Sequence, residues 1–317
     1  MRATALALSL LTAASCAALF TGCSGSTTRA QQTKPAPPLI EFLGAWGTKG
    51  SGPGMLDDPR SIATDDFAAV YIPDVGKPDR FVNKFTRGGH PLQSFSPTVK
   101  FQDPCASAVD HGGMIYVLDC SSGVLYTFLL QEATIQRSMR TIPAKQKPVS
   151  LAVSDDGSIY VASREAPVMV FNPRGRQIGP LGKGLKEGLV FADQVVAAPN
   201  NTIYAARCSQ PFVEQLASDS STVNQWVRNT GVSDAADNDT CFLAATQKYI
   251  ALLANVPSAP VLRIFAVAEK HEKLSKLLSE IDPSLTNLNI KGMAATQDGD
   301  LLILDAAAPR VLRFRLN

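Results

Sequence analysis

Residues 148–163, PVSLAVSDDGSIYVAS, place apolar side chains at Leu151, Val153, Ile159 and Val161 on either side of a polar Asp156-Gly157 pair. Two short β-rich runs joined by Asp-Gly predict an antiparallel hairpin. The same pattern recurs without a gap at residues 59–74 (PRSIATDDFAAVYIPD) and 104–119 (PCASAVDHGGMIYVLD), and in register at 192–207 and 290–305. Residues 240–255, TCFLAATQKYIALLAN, fit with one residue fewer in the turn. The position held by Tyr160 is taken by Tyr71, Tyr116, Tyr204, Ala251 and Leu302, so successive units lie 45, 44, 44, 47 and 51 residues apart. Each unit continues into a third apolar run, such as RFVNKF, VLYTF or VLRIF, then a turn and a fourth run such as that in NPRGRQIGPLG. A period of this size made of strands and turns predicts an all-β fold, a six-bladed β-propeller of four-stranded antiparallel blades.

The ends of the repeat fit that count. The sixth unit stops after its third strand, RVLRF, and residues 40–47, IEFLGAWG, have the character of a fourth. Set on the last blade, they close the ring and cover edges that otherwise invite aggregation. Residues 269–281, EKHEKLSKLLSEI, have the spacing of an amphipathic helix, but their place in the repeat demands an outer strand. The expectation is a turn followed by a strand within SKLLSEI. The segment FLGAWGTKGSGPGMLDDPRSIATDD, in which a Gly-rich loop leads to a Pro and an inner strand, resembles the opening of NHL-repeat propellers. YVLD and RVLRF extend the resemblance over residues 40–317. It implies the fold and leaves function open, because one propeller hosts binding proteins, lactonases and lyases.

Ahead of the repeats the pattern changes. Arg2 precedes an apolar stretch over 3–20 and small residues, which is the arrangement of an export signal covering 1–22. Thr21-Gly22-Cys23 resembles the lipobox of bacterial lipoproteins, with Phe20 where Leu is usual. The resemblance implies acylation of the Cys23 thiol. Ser24 in place of Asp implies sorting to the outer membrane, facing the periplasm, in a host with two membranes. A single membrane anchor and cleavage to a soluble exported protein are the alternatives. Residues 24–39 are polar and Pro-rich and read as a tether. The expected domains are therefore 1–22, 23–39 and 40–317.

Composition narrows the function classes. With 45% hydrophobic and 18% charged residues in 317, the chain can bury a full core, and no further membrane span is suggested. Thirty basic and 28 acidic side chains without a long run of either sign, and 7% aromatics, argue against nucleic acid as a partner. Setting aside Cys16 and Cys23, four cysteines allow three pairings. The register puts Cys105 and Cys120 opposite each other across one hairpin. Cys208 ends a second strand and Cys241 begins the next inner strand, on the same face. The expected bridges are Cys105–Cys120 and Cys208–Cys241, as an oxidising compartment favours.

Candidate chemistry centres on the face where the inner strands begin. Reading the second position of each unit and the ends of the second strands gives Arg60, Asp193, Lys291, Arg207 and Arg164 as channel-face candidates for ligand binding. Asp74, Asp119 and Asp305 also end second strands, where a carboxylate serves to accept backbone hydrogen bonds at the blade junction. Lactonase-like propellers hold a divalent ion with inner-strand Glu, Asn and Asp, yet Asp193 is the only carboxylate in that ring. Related amidating lyases need inner His ligands for zinc. Here His90 and His271 fall in outer turns and His111 in the hairpin turn of blade two, on the opposite face. No Ser–His–Asp arrangement can be assembled, and GTKGSGPG lacks the ending of a phosphate loop. No cofactor or metal is expected. The reading is a lipid-anchored envelope protein that recognises a protein, peptide or glycan. The alternative is a metal-dependent hydrolase or lyase of the lactonase or streptogramin-lyase type, using Asp193 to hold an ion.

Overall fold

The computed structural model describes residues 37–317 apart from 53, 77–81, 96–100, 130–134, 184–187, 210–211, 217–221, 228–239 and 256–258. The expected leader, Cys23 and the tether up to residue 36 lie outside the described residues.

Six four-stranded antiparallel sheets carry the repeat. The closing strand β1 (Ile40–Trp46) comes first in the chain. Blade one holds β2 (Ala63–Thr64), β3 (Val70–Pro73), β4 (Val82–Phe85) and β5 (Pro91–Phe95). Blade two holds β6 (Pro104–Val109), β7 (Met114–Asp119), β8 (Val124–Leu129) and β9 (Ile135–Arg140). Blade three holds β10 (Pro148–Val153), β11 (Ile159–Ser163), β12 (Met169–Phe171) and β13 (Gln177–Pro180). Blade four holds β14 (Gln194–Ala198), β15 (Thr202–Ala206), β16 (Phe212–Leu216) and β17 (Thr222–Val227). Blade five holds β18 (Thr240–Ala245), β19 (Tyr249–Asn255), β20 (Val261–Ala266) and β21 (His271–Leu277). Blade six is β22 (Ile290–Ala295), β23 (Asp300–Asp305) and β24 (Arg310–Leu316), completed by β1 on β24.

The burial of each strand follows from this stacking. Second strands such as β11 and β23 are buried at every position, because both of their faces meet a neighbouring blade. Outer strands alternate, as β1 and β21 do, because one face looks to water. There is no single core. Six apolar clusters fill the six interfaces between adjacent blades. Val70 and Ile72 of β3 join Leu302, Leu304 and Val311 of blade six, while Tyr71 between them turns to Val117 and Phe128 of blade two. Side-chain alternation along one strand thus feeds two clusters.

Residues 269–281 combine the two readings weighed for them. The strand forms, but as β21 over His271–Leu277, earlier than SKLLSEI, and Leu278–Ile281 follows as a single helical turn α1. Leu278 is fully buried in the cluster between blades five and six, which pulls the chain out of the sheet before SEI. Among the described residues no helix is long and apolar enough to cross a membrane.

Candidate functional site

The inner strands approach the axis through a repeated irregularity. In blades two, three and six the register shifts between the first and third positions of the unit, at Pro104/Ala106, Pro148/Ser150 and Ile290/Gly292. The residues at the shift are Cys105, Val149 and Lys291. A bulge re-aims the extra side chain, and all three line the axial cavities. Blades four and five run into their inner strands without a shift, and the bridge Cys208–Cys241 joins them instead. The second expected bridge, Cys105–Cys120, is also formed, with Cα atoms 5.8 Å apart.

A cavity of about 190 Å³ opens on this face. Both disulfides, Asp103, Arg164, Asp193 and Phe242 are in its wall. Of the sequence candidates, the structure brings Arg164 and Asp193 together here. Arg164 is exposed. Asp193 is half-buried and accepts from the Cys208 backbone N–H at 2.9 Å. Arg60 is engaged sideways, 2.7 Å from Asp58 and 3.5 Å from Asp103. Arg207 stands apart, its guanidinium 5.3 Å from the centre of the Phe191 ring. Lys291 lies deeper, in the channel wall.

The three strand-end carboxylates are fixed by backbone. Asp74 is fully buried and accepts from Asp57, Asp58 and Gly76 at 2.8, 2.9 and 3.0 Å. Asp119 accepts from Gln102 at 2.8 Å and Ser121 at 3.1 Å. Asp305 accepts from Asn289 and Ala307, both at 3.0 Å, and from Arg310 at 3.0 Å. These carboxylates gather the entering loops, and their lone pairs are committed to that task.

Inward, the channel encloses about 220 Å³ and shares Cys105, Val149, Gln194 and Phe242 with the first cavity. Small residues recur at the fifth position of the unit along its wall, Ala63, Ala108, Ala152, Ala244 and Ala294, with Val196 in the fourth unit. Hydroxyls tie neighbouring inner strands. Ser61 donates to the Pro104 carbonyl at 3.0 Å and Thr64 to that of Ala295 at 2.8 Å. Ser150 donates to the Val195 carbonyl at 3.3 Å and accepts from its N–H at 3.2 Å. Phe242 is the one bulky side chain at the third position, where the other units carry Ser61, Ala106, Ser150, Gln194 and Gly292. It stands at the boundary of the two spaces.

The opposite end of the channel holds chemistry that the sequence reading left without a role. The eighth position of the units is Asp66, His111, Asp155, Pro199, Gln247 and Gln297. His111 Nδ1 meets Asp66 Oδ2, and its Nε2 lies 2.7 Å from Asp155 Oδ1. Hydrogen bonding to Asp66 raises the His111 pKa above the ordinary imidazole value, partial burial opposes that rise, and Asp155 adds to it. The unit alignment marks these three residues as equivalents, so they were findable: neighbouring blades present the same repeat position to each other. Among the described residues no group of three His, Cys, Asp or Glu converges as a metal site.

No protein-family model and no curated protein sequence matches the chain. Solved structures do match in shape. A candidate exported protein from Bacteroides fragilis aligns at a TM-score of 0.61 with 9% identity, over 88% of this chain and 96% of that one. A streptogramin B lyase aligns at 0.56 with 9% identity, over 88% and 97%. Hydrazine synthase of Kuenenia stuttgartiensis aligns at 0.53 with 17% identity, over 79% and 77%. At these identities the likeness establishes the six-bladed propeller and nothing finer.

Proposed function

We propose that this chain is an NHL-like propeller of the bacterial envelope, anchored through lipid on Cys23 at the outer membrane, that recognises a protein, peptide or glycan. The observation that carries the reading is the cavity at the inner-strand starts. There Arg164 and Asp193 offer opposite charges a short way above a narrow channel. A cavity whose wall carries a guanidinium beside carboxylates and apolar surface suits a partner bearing both donors and acceptors, as peptides and glycans do. Two disulfides hold its rim, so the charged pair is presented with little ordering cost. An exported relative in shape and the bridges themselves fit an oxidising compartment.

The hydrolase or lyase alternative has less to stand on. The cysteines of this cavity are bonded to each other, so its wall offers no free thiol as a nucleophile.

The test is saturable binding of purified envelope peptides and glycan fragments to the intact lipidated protein, compared with Arg164→Glu and Asp193→Lys. Each charge reversal is expected to weaken the specific partner at least about tenfold, roughly 1.4 kcal/mol. A partner held equally by both variants would place recognition elsewhere. A stoichiometric divalent ion found by elemental analysis would favour the enzyme reading.

A further inference from the structure

The far end of the channel is bordered by the tips of the inner hairpins, and most of them are joined in a chain of side-chain bonds. Gln297 Nε2 of blade six donates to Asp66 Oδ1 of blade one at 2.7 Å. Asp66 meets His111 of blade two, and His111 meets Asp155 of blade three. The Asp156 N–H donates to Asn201 Oδ1 of blade four at 3.0 Å. Five consecutive blades, six to four, are thereby linked tip to tip, with His111 in the middle.

That central link has a chemical requirement. Both imidazole nitrogens face carboxylate oxygens, which accept. A neutral imidazole has one N–H and one lone pair, and only the imidazolium donates from both nitrogens. Losing the proton leaves a nitrogen lone pair against a carboxylate on one side, which is repulsive, so that arm must open. Asp66 keeps a donor in Gln297 whichever arm lets go.

We propose that His111 is a proton-operated latch on the far end of the channel: protonated, it ties the tips of blades one, two and three together, and deprotonated it releases one of them. The other acidic groups around it are already committed. Asp65 accepts from the Phe67 and Ala69 amides and the Tyr71 hydroxyl. Asp110 accepts from the Met114 amide at 2.9 Å and the Tyr116 hydroxyl at 2.9 Å. Asp156 accepts from Ser154 and Ser158. The titrating group is therefore His111, with the Asp66 and Asp155 carboxylates as its two partners. Because the folded pKa is raised, the latch contributes fully below the ordinary imidazole value near 6.5. Its contribution is lost as pH climbs through the higher folded value. The device works independently of what the opposite face binds.

The imidazole protons of His111 in the intact protein can be followed by NMR across pH. His111 is expected to titrate above the ordinary imidazole value near 6.5, and Asp66→Asn and Asp155→Asn are each expected to shift it downward. Amide hydrogen exchange at one of the two partner tips, residues 66–68 or 155–157, corrected for its intrinsic pH dependence, is expected to rise through the same titration. In His111→Gln that step should be lost. A His111 that titrates at or below the ordinary imidazole value near 6.5 would overturn the latch, as would tip exchange indifferent to its protonation. Both readouts are available on the unaltered protein, so the outcome does not depend on a variant folding.

Discussion

Buried charge in this propeller is either spread over backbone amides or paired across strands, and the two arrangements fail differently. Asp74 collects three loop N–H groups. Asp74→Ala leaves them without their acceptor, at about 1–3 kcal/mol for each group that water does not reach, read as a drop in the urea midpoint. Arg263 is fully buried in blade five, 3.1 Å from Glu272. Glu272→Ala removes a carboxylate from beside a guanidinium held away from water and is expected to cost about 3–5 kcal/mol, whereas replacing both residues by apolar ones should recover much of the loss. Equilibrium unfolding of the two variants and the double variant separates these terms. Tyr204 illustrates a third case. Burial alone pushes its phenol up to about 12. The native state thus holds the proton where the unfolded chain, near the ordinary value of 10, releases it. The Tyr204 contribution to stability is expected to fall between those two pH values. Because burial also raises Tyr71, Tyr126 and Tyr160, ultraviolet absorbance of the parent against Tyr204→Phe isolates its tyrosinate. Tyr204→Phe should flatten that part of the profile.

Strands and turns were legible because each writes its own signal. The Tyr71, Tyr116, Tyr160 and Tyr204 series fixed the second strands, and the register that follows from it correctly paired the cysteines. What escaped was anything decided by a neighbour in the ring. Helical spacing and sheet demand competed over 269–281, and the winner changed at Leu278, where burial between two blades ended the strand. The bulges at Cys105, Val149 and Lys291 could not be read from alternation, which they interrupt. His111 looked idle because its partners lie 45 residues upstream and one unit downstream, outside any local window. Likewise Arg60 looked available as a ligand cation until Asp58 and Asp103 were found beside it. At this scale the bridges differ in reach. Cys105–Cys120 spans 15 residues within one blade and Cys208–Cys241 spans 33 between two. Loop entropy gives about 3 and about 3.7 kcal/mol respectively. Paired Cys→Ala variants should show the second loss to be the larger by denaturant unfolding, because it also frees blade four from blade five.

The molecule as a whole is six interfaces arranged in a circle, and β1 on β24 completes the last blade. Ile40 pairs with Leu316 and Trp46 with Val311, and Asn317 Nδ2 donates to the Pro38 carbonyl 279 residues away. Removing residues 37–46 bares the β24 edge and should yield dimers or larger species by strand pairing. Size-exclusion chromatography would detect them, and a peptide of residues 38–47 supplied in trans should return the monomer.

This closure also sets an order in time. β1 is synthesised before every other strand described here, and its partner β24 after all of them. The chain is delivered from its N-terminus, so β1 must wait for the last strand. β24 rests on β23 as soon as it arrives, whereas β1 has no partner strand until β24 is in place. Among the described residues the seam joins positions up to 279 apart in sequence, and closing so long a loop carries a high entropic cost. The ring therefore depends on a strand that the other blades must wait to engage, and the segment that closes it is the one left unpaired for longest.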